Sequence, residues 1–171
     1  MLSLFFLIGC GSTPEDTVSS TVEKYCSLLR DGKHHEAKNL TSNQNYNKLA
    51  DSNSSTDRQT INWIHENLTC TVKKVKIKKD TAKVTIKISN RDINSEMSNL
   101  VKISTSGAST AELEKKYNSL FDKKDFKKFS NEFELSLLKK GDDWKIDLTG
   151  KNWKKFTSAM MNAPYLDFNL K

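Results

Sequence analysis

Residues 68–90 run Leu-Thr-Cys-Thr-Val-Lys-Lys-Val-Lys-Ile-Lys-Lys-Asp-Thr-Ala-Lys-Val-Thr-Ile-Lys-Ile-Ser-Asn. Apolar residues recur at every second position, the period of a strand with one buried face. Cys70 and Val72 share one parity, but after Lys73-Lys74 the apolar set moves to Val75 and Ile77. That shift predicts a β-bulge near Lys73-Lys74. Lys79-Asp80 is a turn, and Ala82, Val84, Ile86 and Ile88 form the returning strand. The opposite parity holds Lys76, Lys78, Lys83 and Lys87, and the segment's only acid between Thr69 and Asn90 is Asp80. A hairpin with an apolar inner face and a lysine-covered outer face is expected.

A second hairpin follows further along. Phe133, Leu135 and Leu137 alternate, Lys140-Gly141-Asp142-Asp143 turns, and Trp144, Ile146 and Leu148 return. Four strands with one apolar face each predict a curved antiparallel sheet covered on that face by helices, an α+β fold.

The helices have their own punctuation. Thr13 is an N-cap, Pro14 suits the first helical position, and Glu15-Asp16 favour the positive end of a helix. Val18, Val22, Cys26 and Leu29 give its inner face, and Asp31-Gly32 stops it. A short helix is expected over Lys33–Thr41 with Ala37 and Leu40 inward. Residues 42–55, rich in Asn and Ser, read as irregular. Thr56-Asp57-Arg58-Gln59 is a capping box opening a third helix through Asn67, with Ile61, Ile64 and Leu68 on one side. Residues 94–105 repeat Met97, Leu100 and Val101 at helical spacing. Ser109-Thr110-Ala111-Glu112 is another capping box, ahead of Leu113, Tyr117, Leu120 and Phe121. Trp153, Phe156 and Met160 mark a closing helix stopped by Pro164. Its Lys151, Lys154 and Lys155 admit an interfacial helix, but a helix that closes the core and exposes its lysines is the preferred reading.

The start of the chain differs from the rest. Met1 to Ile8 is apolar and uncharged. A membrane-spanning helix needs about 20 apolar residues, so this run is too short to span. It suits the apolar region of a secretory signal. Leu7-Ile8-Gly9-Cys10 resembles the lipobox of bacterial lipoproteins, in which the cysteine is acylated and becomes the first residue of the mature chain. The competing reading is a buried N-terminal strand. No Lys or Arg precedes the run, so a natural start upstream of Met1 is expected. The domain plan is thus a signal over 1–9, a lipidated cysteine and linker over 10–13, and one α+β domain over 14–171. The expected location is extracytoplasmic, with Cys10 holding the chain to the cell membrane.

The order of elements resembles the nuclear-transport-factor-2-like superfamily, also called cystatin-like. More narrowly, it is similar to lipoproteins of unknown function from low-GC bacteria that carry such a domain. The resemblance rests on Pro14-Glu15-Asp16-Thr17-Val18, Leu29-Arg30-Asp31-Gly32-Lys33, Asp80-Thr81-Ala82-Lys83-Val84 and Gly141-Asp142-Asp143-Trp144-Lys145-Ile146-Asp147. It implies a curved sheet wrapped by helices and no particular reaction.

That superfamily includes ketosteroid isomerase, whose cavity uses an aspartate base and a Tyr-Asp oxyanion pair. None of the inward strand positions here is an acid or a base, so no catalytic constellation and no cofactor are expected. His34 and His35 are adjacent and would diverge by about 100° on a helix, and His65 is remote, so no metal site is expected. The histidines are expected exposed or partly buried. Cys26 and Cys70 both fall on inner faces, which leaves a disulfide and two packed thiols both open.

Across the 171 residues, basic residues outnumber acidic ones 28 to 21, a net charge of +7. Only Arg30, Arg58 and Arg91 are arginines. Lysine is a poor bidentate reader of base edges, so nucleic acid is not an expected partner. Attraction of Lys76, Lys78, Lys83 and Lys87 to an anionic surface is the functional reading of the outer face, and a solvated face is the bland one. The expected function is a non-catalytic binding or interaction module at the cell envelope, partnered by the membrane through its lipid, and by an anionic envelope polymer or another envelope protein. The alternatives are a binder of small apolar ligands between helices and sheet, and an isomerase- or dehydratase-type enzyme.

Overall fold

The computed structural model describes residues 12–43, 55–122 and 125–162, the side chains of 55–57 excepted. The signal, Leu7, Ile8, Gly9, Cys10 and the Pro164 stop lie outside the described residues. The elements are α1 (Pro14–Arg30), α2 (His34–Lys38), α3 (Ser55–His65), β1 (Thr69–Lys78), β2 (Thr81–Arg91), α4 (Ile93–Thr105), α5 (Thr110–Asp122), β3 (Lys128–Lys140), β4 (Asp143–Ile146) and α6 (Gly150–Met161). The four strands form one open antiparallel sheet in the order β1-β2-β3-β4. Among the described residues, no helix is long and apolar enough to cross a membrane.

Local chemistry accounts for the element ends. Thr13 and Asp16 form a reciprocal capping box at the start of α1, satisfying two amides that a helix start leaves unpaired. Gly32 then takes a φ of +71°, which closes α1 and aims α2 back along it. Ser109 and Glu112 exchange the same pair of bonds at α5. The β1–β2 register slips between Val72 and Lys74, so a bulge stands where the parity change predicts it. Lys79, with a φ of 54°, makes the tight connection to β2.

The core lies between the sheet's inner face and the helices. Val84, Ile86 and Ile88 of the central strand β2 are fully buried. Val18, Val22 and Tyr25 of α1 and Phe156 of α6 join them in one apolar cluster. Tyr25 and Phe156 meet edge-on at 5.6 Å between ring centroids, an arrangement that aromatic quadrupoles favour. Cys26 and Cys70 are joined by a disulfide that ties α1 to β1.

Four expectations need correction. Met97 and Val101, expected inward, are 40% and 59% exposed. The inner side of α4 instead buries Ile93 and Glu96, because α4 packs beside α5 and away from the sheet. Helix α3 already contains Thr56 and ends at His65, short of Asn67. Leu148 is buried but lies past the end of β4. The histidines are not simply surface groups: His65 is buried, and its ring lies 5.2 Å from that of His34. Burial, and secondarily the neighbouring His34, push its pKa down to about 3, so His65 is neutral at ordinary pH.

Candidate functional site: the outer face of the sheet

Strand pleating sends alternate side chains to opposite faces. The helices cover the face that carries Val84, Ile86 and Ile88. The other face therefore collects the alternate set from each strand, and the register shows which groups become neighbours.

Lys76 of β1 stands directly opposite Lys83 of β2. Like charges in facing positions repel, a cost unless an anion intervenes. For Lys83 the anion comes from within the chain: its Nζ donates to Glu134 Oε1 of β3 at 2.6 Å. That hydrogen bond holds the Glu134 carboxyl below the usual range, with the charges of Lys83, Lys76 and Lys155 adding to it. Lys87 faces Glu132 across the β2–β3 register. The lysine field expected from the hairpin alone is thus divided. On β2 the lysines lie beside carboxylates contributed by β3, a strand more than 40 residues further along the chain.

Edge strand β1 pairs only with β2, whose residues 81–91 bring it no acid. Lys73, Lys74, Lys76 and Lys78 are exposed, and none of them forms an ion pair with another described residue. Lys73 and Lys74 flank the bulge, which puts two consecutive cations at the outer edge. Together with Lys79, Lys83 and Lys87, the hairpin carries seven lysines against Asp80, in a chain whose net charge is +7. The positive excess is therefore concentrated on one hairpin.

A second cluster, not foreseen in the sequence, lies at the C-terminal end of β2. Asn90, Arg91 and Asp92 are consecutive and all buried. Asn90 Nδ2 donates to the carbonyls of Ile64 (2.9 Å) and Met160 (3.0 Å), joining α3 to α6. The Arg91 guanidinium pairs with Glu66, donates to the Leu120 carbonyl at 3.3 Å, and lies between the rings of Trp63 and Phe126. Trp63 Nε1 donates to the same Leu120 carbonyl at 2.9 Å. Burial lowers the Arg91 pKa while Glu66 and Glu96 oppose that shift, and an arginine stays charged throughout. Asp92 caps α4 through the Ser95 amide at 3.1 Å and accepts from Asn162 Nδ2 at 3.1 Å. Each polar group reaches across to another element, so the cluster is a clasp that fastens α4 and α5 to the body.

The exposed side of that pair of helices forms an open groove of about 490 Å³ lined by Leu100, Val101, Ser104, Leu113 and Tyr117. Tyr117 Oη is 3.0 Å from the Thr60 hydroxyl. Among the described residues, no group of three or more His, Cys, Asp or Glu side chains is placed to hold a metal ion.

The architecture is that of an α+β domain with an open four-stranded antiparallel sheet, covered by helices on one face and bearing lysines on the other. No protein-family model matches the chain, and no curated protein matches it. It is similar to one crystal structure from Bacillus subtilis subsp. subtilis str. 168, described as a "putative lipoprotein (ycdA)", at 18% identity and a TM-score of 0.45. The match covers 81% of this chain and 45% of that one, so this chain spans less than half of that protein's length.

Proposed function

We propose that this chain is an envelope lipoprotein, held at the outer side of the cell membrane by an acyl group on Cys10, and that it works by binding without turnover. The observation that carries this reading is the run Met1 to Ile8 ending in Leu7-Ile8-Gly9-Cys10. It is too short to span a bilayer and is followed at once by a capped helix. Several acyl chains on one cysteine suffice for stable anchoring, where a single chain is marginal. The disulfide between Cys26 and Cys70 agrees with this location, because such bonds persist in oxidising compartments and are rare in a reducing cytosol.

The binding side of the proposal is supported by where the polar chemistry lies. The buried polar groups of the Arg91 clasp, Arg91 Nε excepted, are engaged with one another and with backbone carbonyls. A run of exposed lysines without ion pairs among the described residues lies outside, on β1. The test is Cys10→Ser. The unaltered chain is expected in the membrane fraction and the substituted chain outside it or mislocalised; identical membrane fractionation of both would refute the anchor.

A further inference from the structure

We infer that edge strand β1, through Lys73, Lys74, Lys76 and Lys78, docks the domain on phosphate-bearing anionic lipid headgroups, while Lys83 and Lys87 contribute little. This deepens the proposed function and rests on its reading of Cys10. Sequence parity alone puts Lys76, Lys78, Lys83 and Lys87 on one surface with equal standing. The register removes that equality. Glu134 is ion-paired with Lys83, and Glu132 faces Lys87 across the register, so each β2 lysine has a carboxylate on the adjoining strand. None of the four β1 lysines forms an ion pair with another described residue, though Lys76 lies within the field of Glu134, and all four sit on the sheet's edge strand.

Two further features favour a headgroup surface over a specific ligand. The cationic residues are lysines, compact hydrated charges that suit a diffuse anionic surface better than bidentate recognition. The tether is also short. Only Gly11 and Ser12 lie between Cys10 and Thr13, the cap of α1, a span of three Cα–Cα steps. Fully extended they reach about 10 Å, close to the screening length of about 8 Å at physiological salt. An anchored domain therefore has the start of α1 held about one screening length from the bilayer. Each β1 lysine near such a surface is expected to favour docking about fivefold.

The experiment uses the chain extracted from its own membrane and reconstituted into vesicles. One set contains equal parts phosphatidylglycerol and phosphatidylcholine, and the other phosphatidylcholine alone. Flotation reads the anchor, and labelling of lysines by an amine-reactive reagent, followed by mass spectrometry, reads the docking face. The expected result is flotation with both sets and protection of Lys73, Lys74, Lys76 and Lys78 on the anionic set alone. The triple variant Lys74→Glu/Lys76→Glu/Lys78→Glu should abolish protection of the edge, and Lys83→Glu/Lys87→Glu should leave it nearly intact. Flotation with equal labelling on both sets overturns the docking and leaves the anchor standing. Flotation with the anionic set alone, lost at high salt, overturns the anchor and leaves the docking standing. Flotation with neither overturns both. Protection that arises only when polyphosphate is added overturns the lipid assignment in favour of a soluble polyanion. Equal sensitivity to the two variants overturns the special role of β1.

Discussion

Helices α1 and α4 both repeat apolar residues at helical spacing, yet α1 buries Val18, Val22, Tyr25, Cys26, Leu28 and Leu29, whereas α4 buries Ile93 and Glu96. Periodicity sets which side of a helix is apolar; it does not say what that side will meet. Helix α1 lies on the inner face of the sheet and is tied to β1 by a disulfide. Helix α4 leaves the sheet at Asp92 and pairs with α5. Its attachment joins one core residue, Ile93, and the partly buried Leu100 to the polar Asp92 cap and Arg91 clasp, and its Met97 and Val101 stay exposed. One region is held by broad apolar area and a covalent bond, the other by a narrow apolar contact and a few hydrogen bonds around a buried arginine.

This contrast can be broken experimentally, beginning with the covalent tie. Replacing Cys26 and Cys70 together by alanine opens a loop with a sequence separation of 44. Chain entropy alone puts the loss at about 4 kcal/mol. Denaturant unfolding should show it as a lower midpoint with a steeper slope, because the opened denatured chain exposes more surface; an unaltered midpoint would mean that the bond contributes nothing to α1. Truncation comes next in size. Leu29→Ala in α1 removes a side chain that is 2% exposed and should cost about 3 kcal/mol. Val101→Ala in α4 should stay within about 0.5 kcal/mol. Equal losses at the two positions would erase the distinction between the helices.

Acid pH acts through a buried histidine. His65 lies at the end of α3, and its pKa is pushed down to about 3 by burial and by His34. Its unfolded value is near 6.5. The neutral form is thus favoured in the folded chain, and its stabilisation is fully present above pH 6.5. It is lost as the pH falls toward 3, because the unfolded chain binds the extra proton, at about 1.4 kcal/mol per pH unit. His65→Gln should flatten this acid limb between pH 6.5 and 3, measured by denaturant midpoints; an unchanged limb would assign the acid loss to carboxylates.

Much of the fold was legible because its causes are local. The Thr13 cap, the Ser109–Glu112 box, the stop at Gly32 and the parity change at Lys73-Lys74 each involve residues within four positions of one another, and each lies where the pattern predicts. What was missed depends on distant partners. The Asn90 amide is satisfied by a carbonyl 70 residues away and Arg91 by one 29 residues away, so neither could be identified as buried from its neighbours. The outer face was half legible: strand parity placed the lysines correctly, but Glu132 and Glu134 reach β2 only through the β2–β3 register. A signal existed in the alternation of Glu132 and Glu134 with Phe133 and Leu135, which puts two acids on the side opposite the core.

Where the domain is held decides whether its cationic edge ever meets a bilayer. The most direct measurement is the intact mass, with fragmentation of the N-terminus, of the chain extracted from membranes of the cells that make it. The account predicts a first residue of Cys10 bearing covalently attached acyl chains. A chain that still begins ahead of Cys10, with an unmodified thiol at that position, would contradict it.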